Sequence, residues 1–203
     1  TRFGVFDKRA ARGPRDVRWF EVQPCFVVHV LNCWDEGDDV VIVAPRFRNL
    51  SLELALGRGP GMRPLGDFTH ADMKKFHGLL HEWRINLATG AVTERQLVPD
   101  AFLEFPQVNP RFAGRKTRYG YCALAAETDQ TLASFDGVVK VELETGRVVA
   151  RRRYGARVFG GEPMFVPRAG GTDEDDGYLM TWVHDEAAPE RSQVWIMDAR
   201  GTE

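Results

Sequence analysis

Three ionisable residues of this sequence stand among apolar neighbours, where an uncompensated charge is costly. His29 lies inside the apolar run 24–34, and Glu104 and Glu162 each lie in a phenylalanine-rich run shortly before a proline. A histidine in such a strand has to be hydrogen-bonded, bound to a metal ion, or neutral at a cost, and an ionised carboxylate has to be paired. The alternatives are a structural histidine and carboxylates that accept backbone N–H bonds at strand ends.

The cysteines do not form a metal site with the nearest histidine. Cys25, His29 and Cys33 are spaced four residues apart and would point to one side of a strand that spans about 27 Å. Ligands spread over that length cannot converge on one ion. With Cys122 they form an odd, sparse set that gives no disulfide framework and suits a reducing compartment. We therefore predict that the cysteines are buried apolar residues.

Two loop sequences imitate ion-binding motifs but lack a required residue. Residues 114–117 resemble the end of a phosphate-binding loop, yet Asn109 occupies the position of its first glycine. Residues 173–177 are acidic and end in glycine like a calcium-binding loop, yet Gly171 occupies the position of the first ligand. We expect the acidic stretch to be a solvated turn.

His77 and His81 have the spacing of two zinc ligands on a helix, without the glutamate of that motif. Because strand-like residues begin at His81, we expect neither to bind a metal. No serine or cysteine stands in an arrangement typical of a nucleophile.

The elements that position these residues are predicted to be short strands. Alternating strands lead into turns at Gly90, Gly146 and Gly201, which are 56 and 55 residues apart. Glycine supplies the positive φ that tight hairpins require. A repeat near this length is typical of β-propeller blades, whereas a β-sandwich with similar hairpins is the alternative. Glu104 and Glu162 are 58 residues apart, which favours equivalent positions near a propeller axis.

The composition fits one large domain or a piece of one. The 203 residues are 43% hydrophobic, and 27 basic residues against 29 acidic ones give a formal charge of −2. Without a basic excess, nucleic acid is not expected as a partner. The apolar runs are far shorter than the roughly 18–20 residues of a membrane span, and no signal peptide opens the sequence. A start inside a strand-like run and an end in mid-hairpin lead us to expect a fragment.

Six blocks of the sequence resemble the carotenoid cleavage oxygenase family, in the family's order over almost the whole chain. The blocks are residues 25–36, 81–87, 104–112, 114–121, 159–168 and 174–186. The family is a seven-bladed β-propeller with an iron(II) ion held on its axis by four histidines. The resemblance implies an all-β, partial seven-bladed propeller of about three to four blades. Residues 1–203 would form the C-terminal part of one propeller domain, truncated at both ends.

The resemblance also implies roles for individual residues. His29 corresponds to the third iron ligand in chain order, and Glu104 and Glu162 correspond to carboxylates that accept the remote N–H group of ligating histidines. Glu104 would serve His29, and Glu162 would serve a histidine beyond Glu203. The other three ligands have no counterpart here, and His184 is not one of them. We expect Glu104 within hydrogen-bonding distance of His29, and Glu162 buried or axial without a histidine partner in this chain.

The function implied by the resemblance is that of a non-haem iron(II) dioxygenase, which uses O2 to cleave a carotenoid or apocarotenoid double bond into two carbonyl products. The block 104–109, and Val28 before the histidine, favour cleavage at the 9,10 and 9′,10′ bonds. One alternative is an 11,12-cleaving nine-cis-epoxycarotenoid dioxygenase of abscisic acid biosynthesis. Another is a propeller that binds a carotenoid or a protein partner without catalysis.

The partners implied are a carotenoid substrate and O2, and the cofactor implied is Fe(2+). The location implied is the plastid of a plant or alga, with the cytoplasm as the alternative, and a peripheral association of the full-length protein with a membrane stays open. Because several converging ligands are needed to hold iron, the fragment alone is expected to bind no stoichiometric iron, to cleave no carotenoid and to be poorly soluble.

Overall fold

The computed structural model describes residues 1–9, 16–49, 51, 53, 60–64, 67–69, 71, 74–126 and 134–201. The strands of this part of the chain are β1 Arg2–Val5, β2 Arg18–Glu21, β3 Asn32–Glu36, β4 Asp39–Arg46, β5 Leu79–Asn86, β6 Val92–Gln96, β7 Leu103–Gln107, β8 Tyr119–Ala125, β9 Phe135–Glu142, β10 Arg147–Arg153, β11 Val158–Gly160, β12 Met164–Pro167, β13 Gly177–Asp185 and β14 Gln193–Asp198. Short 3-10 helices at Pro60–Met62, Lys74–Phe76, Pro110–Phe112 and Pro189–Arg191 lie in the connections. The predicted all-β class is confirmed.

The strands form four antiparallel sheets, which we number I to IV in chain order. Sheet I is the pair β1–β2, sheet II has the order β3-β4-β5-β6, and sheet III has the order β7-β8-β9-β10. In sheet IV the central strand β13 pairs with β11 and β12 along one edge and with β14 along the other. Sheets II to IV are therefore successive meanders, which is the strand arrangement of propeller blades.

The repeat that the glycines predict is present in the sheets. Gly90 (φ 78°) lies between β5 and β6, and Gly146 (φ 69°) lies between β9 and β10, which is the third-to-fourth-strand turn in both sheets. In each turn the glycine N–H donates to the carbonyl of the residue that ends the preceding strand, Asn86 or Glu142. Gly201 follows β14, which is the corresponding strand of sheet IV.

The sheets stack face to face because the central strands are apolar on both faces. Alternate residues of β4 enter different cores: Val41 and Val43 pack in a cluster with Val139 of sheet III. Ile42, which points the other way, packs in a cluster with Phe20 of sheet I. Since side chains alternate across a strand, the unbroken apolar run of β4 is what a sheet with layers on both sides requires.

The same alternation continues from sheet III to sheet IV. Cys122 of β8 lies in the core between sheets II and III, whereas the neighbouring Tyr121 packs with Leu179 in the core between sheets III and IV. On the opposite face of sheet IV, Trp182 and Ile196 are exposed by 75% and 64%. This outer face of sheet IV is apolar like the covered faces of the preceding sheets.

The prediction that the cysteines are buried is correct only for Cys122. Its thiol is fully buried, and burial raises its pKa well above the usual range. Cys33 is exposed and Cys25 is half-buried. Cys33 lies in β3, whose side chains alternate between a covered face, as at Trp34, and an exposed one, as at Cys33.

The acidic loop before β13 is not the solvated turn that its composition predicts. The Glu174 carboxylate accepts hydrogen bonds from the backbone N–H groups of Arg118 and Tyr119. Asp175 Oδ2 lies 2.6 Å from Nζ of Lys140, a buried residue of β9. Because these donors lie in sheet III or directly before its strand β8, the loop ties sheet IV to sheet III.

No helix among the described residues is both long enough and apolar enough to cross a membrane.

Candidate metal centre

His29 precedes sheet II and does not lie within one of its strands. The backbone bonds to the β4 side of the sheet at Phe26, which pairs with Phe47, and again at Leu31, whose N–H donates to the carbonyl of Val43. Between these two contacts the chain is not paired with β4, and 42% of the His29 side chain is exposed. The expectation that His29 lies within a strand is therefore wrong.

The predicted contact between His29 and Glu104 is confirmed. His29 Nδ1 lies 2.6 Å from Glu104 Oε2, although the two residues are 75 positions apart and Glu104 belongs to β7 of sheet III. Because an ionised carboxylate only accepts hydrogen bonds, Nδ1 carries the proton and donates it. In the neutral ring this leaves the lone pair on Nε2, the arrangement by which carboxylates orient metal-binding histidines.

The Glu104 carboxylate is nearly buried, with 12% of its side chain exposed. Its Oε2 also accepts the backbone N–H of Phe105, and its Oε1 is buried without a hydrogen-bond partner in the described part of the chain. Within that part, His29 is the one side chain at ion-pairing distance from Glu104. An unsatisfied buried acceptor costs about 1–3 kcal/mol, so a cation on the far side of the His29 ring would stabilise this carboxylate.

A backbone irregularity at Phe105 shapes this contact. Phe105 has a φ of 48°, a left-handed conformation that costs a large L-residue about 1–2 kcal/mol. Three steps along β7, from Glu104 to Gln107, match only two steps along β8, which is a β-bulge. The Phe105 ring centroid lies 5.3 Å from that of His29 and 5.2 Å from that of Phe135.

This bulge was not predicted from the sequence, although Pro106 is a signal for it. A proline within a strand cannot donate to the ladder and is therefore confined to edge strands and bulges. Pro106 lies inside β7, which is an edge strand of sheet III and carries the bulge. Gln107, at which the pairing with β8 resumes, was also not predicted as a site residue.

Glu162 is exposed, so of the two expected settings, buried or axial, it is not the buried one. It lies in the break between β11 and β12, so both glutamates stand at an irregularity in the first strand of a sheet. Its Oε1 accepts a hydrogen bond from Gln107 Nε2 at 3.1 Å. Glu162 is exposed because it lines an open cavity against the uncovered face of sheet IV, together with Met164 and Trp182.

Three further histidines have described positions. His81 is buried in β5 with Nε2 3.5 Å from Glu94, and burial lowers its pKa below the ordinary value. His184 lies exposed in β13, and the ring of His77 packs against another aromatic ring. Over the residues with described positions, no group of three or more His, Cys, Asp or Glu side chains converges in the manner of a metal site.

Comparison with known proteins decides the family. A family model described as retinal pigment epithelial membrane protein (RPE65) matches residues 1–203. A probable carotenoid cleavage dioxygenase 4, chloroplastic, from Arabidopsis thaliana is 37% identical over 100% of this chain and 32% of its own length. The chain belongs to the carotenoid cleavage dioxygenase family.

Other members of the carotenoid cleavage dioxygenase family are similar over the same region. A carotenoid 9,10(9′,10′)-cleavage dioxygenase 1 from Pisum sativum is 33% identical over 98% of this chain and 36% of its own length. A 9-cis-epoxycarotenoid dioxygenase NCED1, chloroplastic, from Oryza sativa subsp. japonica is 38% identical over 98% of the chain and 29% of its own length. The chain thus spans about a third of the length of these relatives.

A solved structure of the family confirms the fold. The crystal structure of a cobalt-substituted apocarotenoid oxygenase from Synechocystis superposes with a TM-score of 0.76 at 28% identity, over 92% of this chain and 36% of that chain. Sheets II to IV are therefore part of the β-propeller of the carotenoid cleavage dioxygenase family, as predicted.

The described residues fit one part of the iron centre that the family implies. The fit rests on two observations: the hydrogen bond at Nδ1 leaves the Nε2 lone pair of His29 available, and the buried Oε1 of Glu104 lacks a partner. A small cavity of about 60 Å³ lies beside Glu104. Its lining is mostly aromatic and aliphatic and consists of Phe47, Phe76, His77, Gly78, Phe102, Leu103, Glu104, Ala125 and Phe135.

Proposed function

We propose that this chain is part of a non-haem iron(II) dioxygenase that cleaves a double bond of a carotenoid or apocarotenoid into two carbonyl products. The observation that carries the proposal is the 2.6 Å contact between His29 Nδ1 and Glu104 Oε2. The family to which the chain belongs supports the class of reaction and substrate. By the whole protein we mean a protein of the relatives' length that contains these 203 residues.

In this proposal His29 is an iron ligand through Nε2. The Glu104 carboxylate keeps the proton on Nδ1, fixes the plane of the ring and raises the basicity of Nε2. Glu104 is itself held by the backbone N–H of Phe105, so the orientation of the imidazole is set by the backbone of β7. The chain supplies one ligand, and the remaining ligands belong to parts of the whole protein outside these residues.

Iron(II), when bound, would supply the activation of O2 for its addition to the double bond. The protein's contribution is the charge balance around that ion. Histidine ligands are neutral, so the charge of the ion has to be offset by groups one layer further out. Glu104 places an anion there without occupying a coordination position, and the cation in turn offsets the burial of Oε1.

Glu162 has the corresponding role for a second histidine that lies outside this chain. Two observations support the assignment: Glu162 stands at a break in the first strand of sheet IV, as Glu104 stands at a bulge in the first strand of sheet III. Its carboxylate is also held by Gln107, which belongs to the same strand as Glu104. The open cavity beside Glu162 leaves room for an imidazole to approach.

The residues that line the small cavity beside Glu104 are of the apolar kind that contacts a hydrocarbon. A polyene offers no hydrogen-bonding groups along its length, so apolar walls bury it favourably and exclude water from it. The rings of Phe102 and Phe135 form part of those walls. At about 60 Å³ the cavity is far smaller than a polyene, so we propose only that these residues contribute to the apolar wall around the substrate in the whole protein.

For the cleaved bond we propose the 9,10 and 9′,10′ positions, with Val28 and the block 104–109 as the supporting residues. The similarity to a 9,10(9′,10′)-cleavage dioxygenase supports this choice, whereas the similarity to a 9-cis-epoxycarotenoid dioxygenase supports the alternative at 11,12. Product analysis of the whole protein with β-carotene and with a nine-cis-epoxycarotenoid distinguishes the two. A C25 product from the epoxycarotenoid would overturn the 9,10 assignment.

The proposed activity is tested by His29→Ala in the whole protein. We expect loss of iron and of carotenoid cleavage, whereas the control His184→Ala, which removes an exposed histidine of β13, keeps both. A parent protein that binds carotenoid without iron and forms no carbonyl product would overturn the enzyme assignment in favour of a binding propeller.

For the location we propose the plastid. Two of the relatives carry the word chloroplastic in their names. We further propose that the whole protein associates with a membrane surface, because carotenoids dissolve in lipid. Fractionation of cells into cytosol, plastid membranes and soluble plastid content, with an antibody to the protein, tests both statements. Recovery in the cytosol would contradict the plastid location, and recovery in the soluble plastid content would contradict the membrane association.

A further inference from the structure

Phe105 adopts a backbone conformation that its side chain disfavours. Of the non-glycine residues in the described ranges, three have positive φ, and Phe105 is the one that adjoins the His29–Glu104 pair. Left-handed conformations of bulky residues persist only where the surrounding structure imposes them, and they concentrate at functional sites. The position of this one beside Glu104 therefore calls for a physical reason.

The left-handed turn changes where the Phe105 N–H group points. In a regular strand this group would point sideways towards the neighbouring strand. Here it donates to Oε2 of Glu104, which is the preceding residue, while the β7–β8 ladder skips one position. The same Oε2 atom accepts the Nδ1–H of His29. The bulge thus holds the oxygen that orients the imidazole.

The ring of Phe105 has a separate set of contacts. It packs at an angle of 41° to the His29 ring and of 62° to the Phe135 ring. A ring contact and a backbone hydrogen bond therefore both link Phe105 to the pair. Substitutions can separate them, because glycine and asparagine accept positive φ without a ring, whereas alanine and valine also lack the ring but disfavour positive φ.

We infer that Phe105 is a positioning residue for the metal centre, and that it acts through its left-handed backbone rather than through its ring. This inference rests on the proposed function, because the centre it serves is the proposed iron site. The bulge fixes Glu104 Oε2, Glu104 fixes the Nδ1–H tautomer and the plane of His29, and the plane of His29 sets the direction of Nε2. Strain at Phe105 is thereby linked to metal affinity.

The test compares Phe105→Gly, Phe105→Asn, Phe105→Ala and Phe105→Val in the whole protein. The first readout is the iron(II) dissociation constant, measured by competition with a chelator. The second is the proton resonance of His29 Nδ1–H in metal-free, 15N-histidine-labelled protein, which reports the hydrogen bond to Glu104 directly. Phe135→Leu is the control that removes a ring contact of Phe105 and leaves the bulge in place.

We expect the glycine and asparagine variants to bind iron within about threefold of the parent and to keep the Nδ1–H resonance. The alanine and valine variants should bind about 10–100-fold more weakly, the usual effect of losing a group that orients a ligand, and should lose that resonance. If all four variants weaken equally, the ring is responsible and the inference is wrong. It is also wrong if none of the four changes affinity or resonance.

The two proposals fail in different ways. A parent protein that binds no iron contradicts the proposed function, while the Nδ1–H resonance still decides whether the Phe105 backbone holds the pair. Iron binding that is equal in the parent and in the alanine variant contradicts only the role of Phe105. Asparagine against alanine remains a fair comparison if the valine variant does not fold, because both side chains are small.

Discussion

Lys140 Nζ lies 2.6 Å from Asp175 Oδ2, and this pair joins the middle of sheet III to the loop that leads into sheet IV. Only 4% of the Lys140 side chain is exposed. The ammonium also donates to the carbonyl of Arg200 and lies 4.0 Å from the centre of the Tyr119 ring. A charge buried this deeply is stable only while its partners are in place.

We therefore expect Lys140→Ala to lower the free energy of unfolding by about 3 kcal/mol. Removing one partner of a buried ion pair costs about 3–5 kcal/mol, and Asp175, which is 23% exposed, recovers part of this by hydration. Lys116→Ala, which breaks an exposed pair with Glu36, is the control and should cost about 0–1 kcal/mol. Urea denaturation of both variants is the measurement, and equal losses would contradict the burial argument.

The two turn glycines allow a matched comparison. Gly90 and Gly146 both have positive φ, but a Cβ atom at Gly90 would meet nothing within 4 Å. A Cβ atom at Gly146 would lie 2.2 Å from the carbonyl oxygen of Leu97. We expect Gly90→Ala to cost about 1–2 kcal/mol from backbone strain alone, and Gly146→Ala to cost about 1–3 kcal/mol more from overpacking. Thermal unfolding measures both, and similar melting temperatures for the two variants would refute the prediction.

His81 should make stability depend on pH. Burial, and then the charge of Arg46, lower its pKa below the ordinary value of 6.5, against the opposing effects of Glu94 and Glu82. Because the folded protein takes up this proton less readily than the unfolded chain, the stabilisation is complete above pH 6.5 and declines as the pH falls below it. In His81→Gln this decline should be absent. The free energy of unfolding of both proteins is measured between pH 7.5 and 5. The same decline with falling pH in the parent and in His81→Gln would contradict the prediction.

The 203-residue chain alone should bind no stoichiometric iron, in contrast to the whole protein. His29 is the single proposed ligand of this chain, and iron sites need several converging groups. Metal analysis of both proteins after purification in the presence of iron(II) is the measurement. Stoichiometric iron in the short chain that His29→Ala abolishes would mean that His77, His81 or His184 completes a different site.

Much of the fold is predictable because its signals are local. The turns at Gly90 and Gly146 need positive φ, which glycine supplies at little cost, so their spacing marks the repeat before any contact is known. The unbroken apolar run of β4 likewise indicates layers on both faces of its sheet. His29 and Glu104 are recognisable for the same reason, since each is a polar residue in an apolar stretch and needs a partner.

The tertiary structure alone decided how those polar groups are satisfied. The acidic loop looked solvated because its partners, the backbone N–H groups before and in β8, lie 56 and 55 residues earlier in the chain. Glu162 looked buried because its neighbours are apolar, but it lies beside a face of sheet IV that no layer covers among the described residues. The sequence determined which residues require partners, because that depends on their own chemistry. Which partners they obtain, and the left-handed turn at Phe105 that aims Glu104 at His29, depend on how distant strands stack.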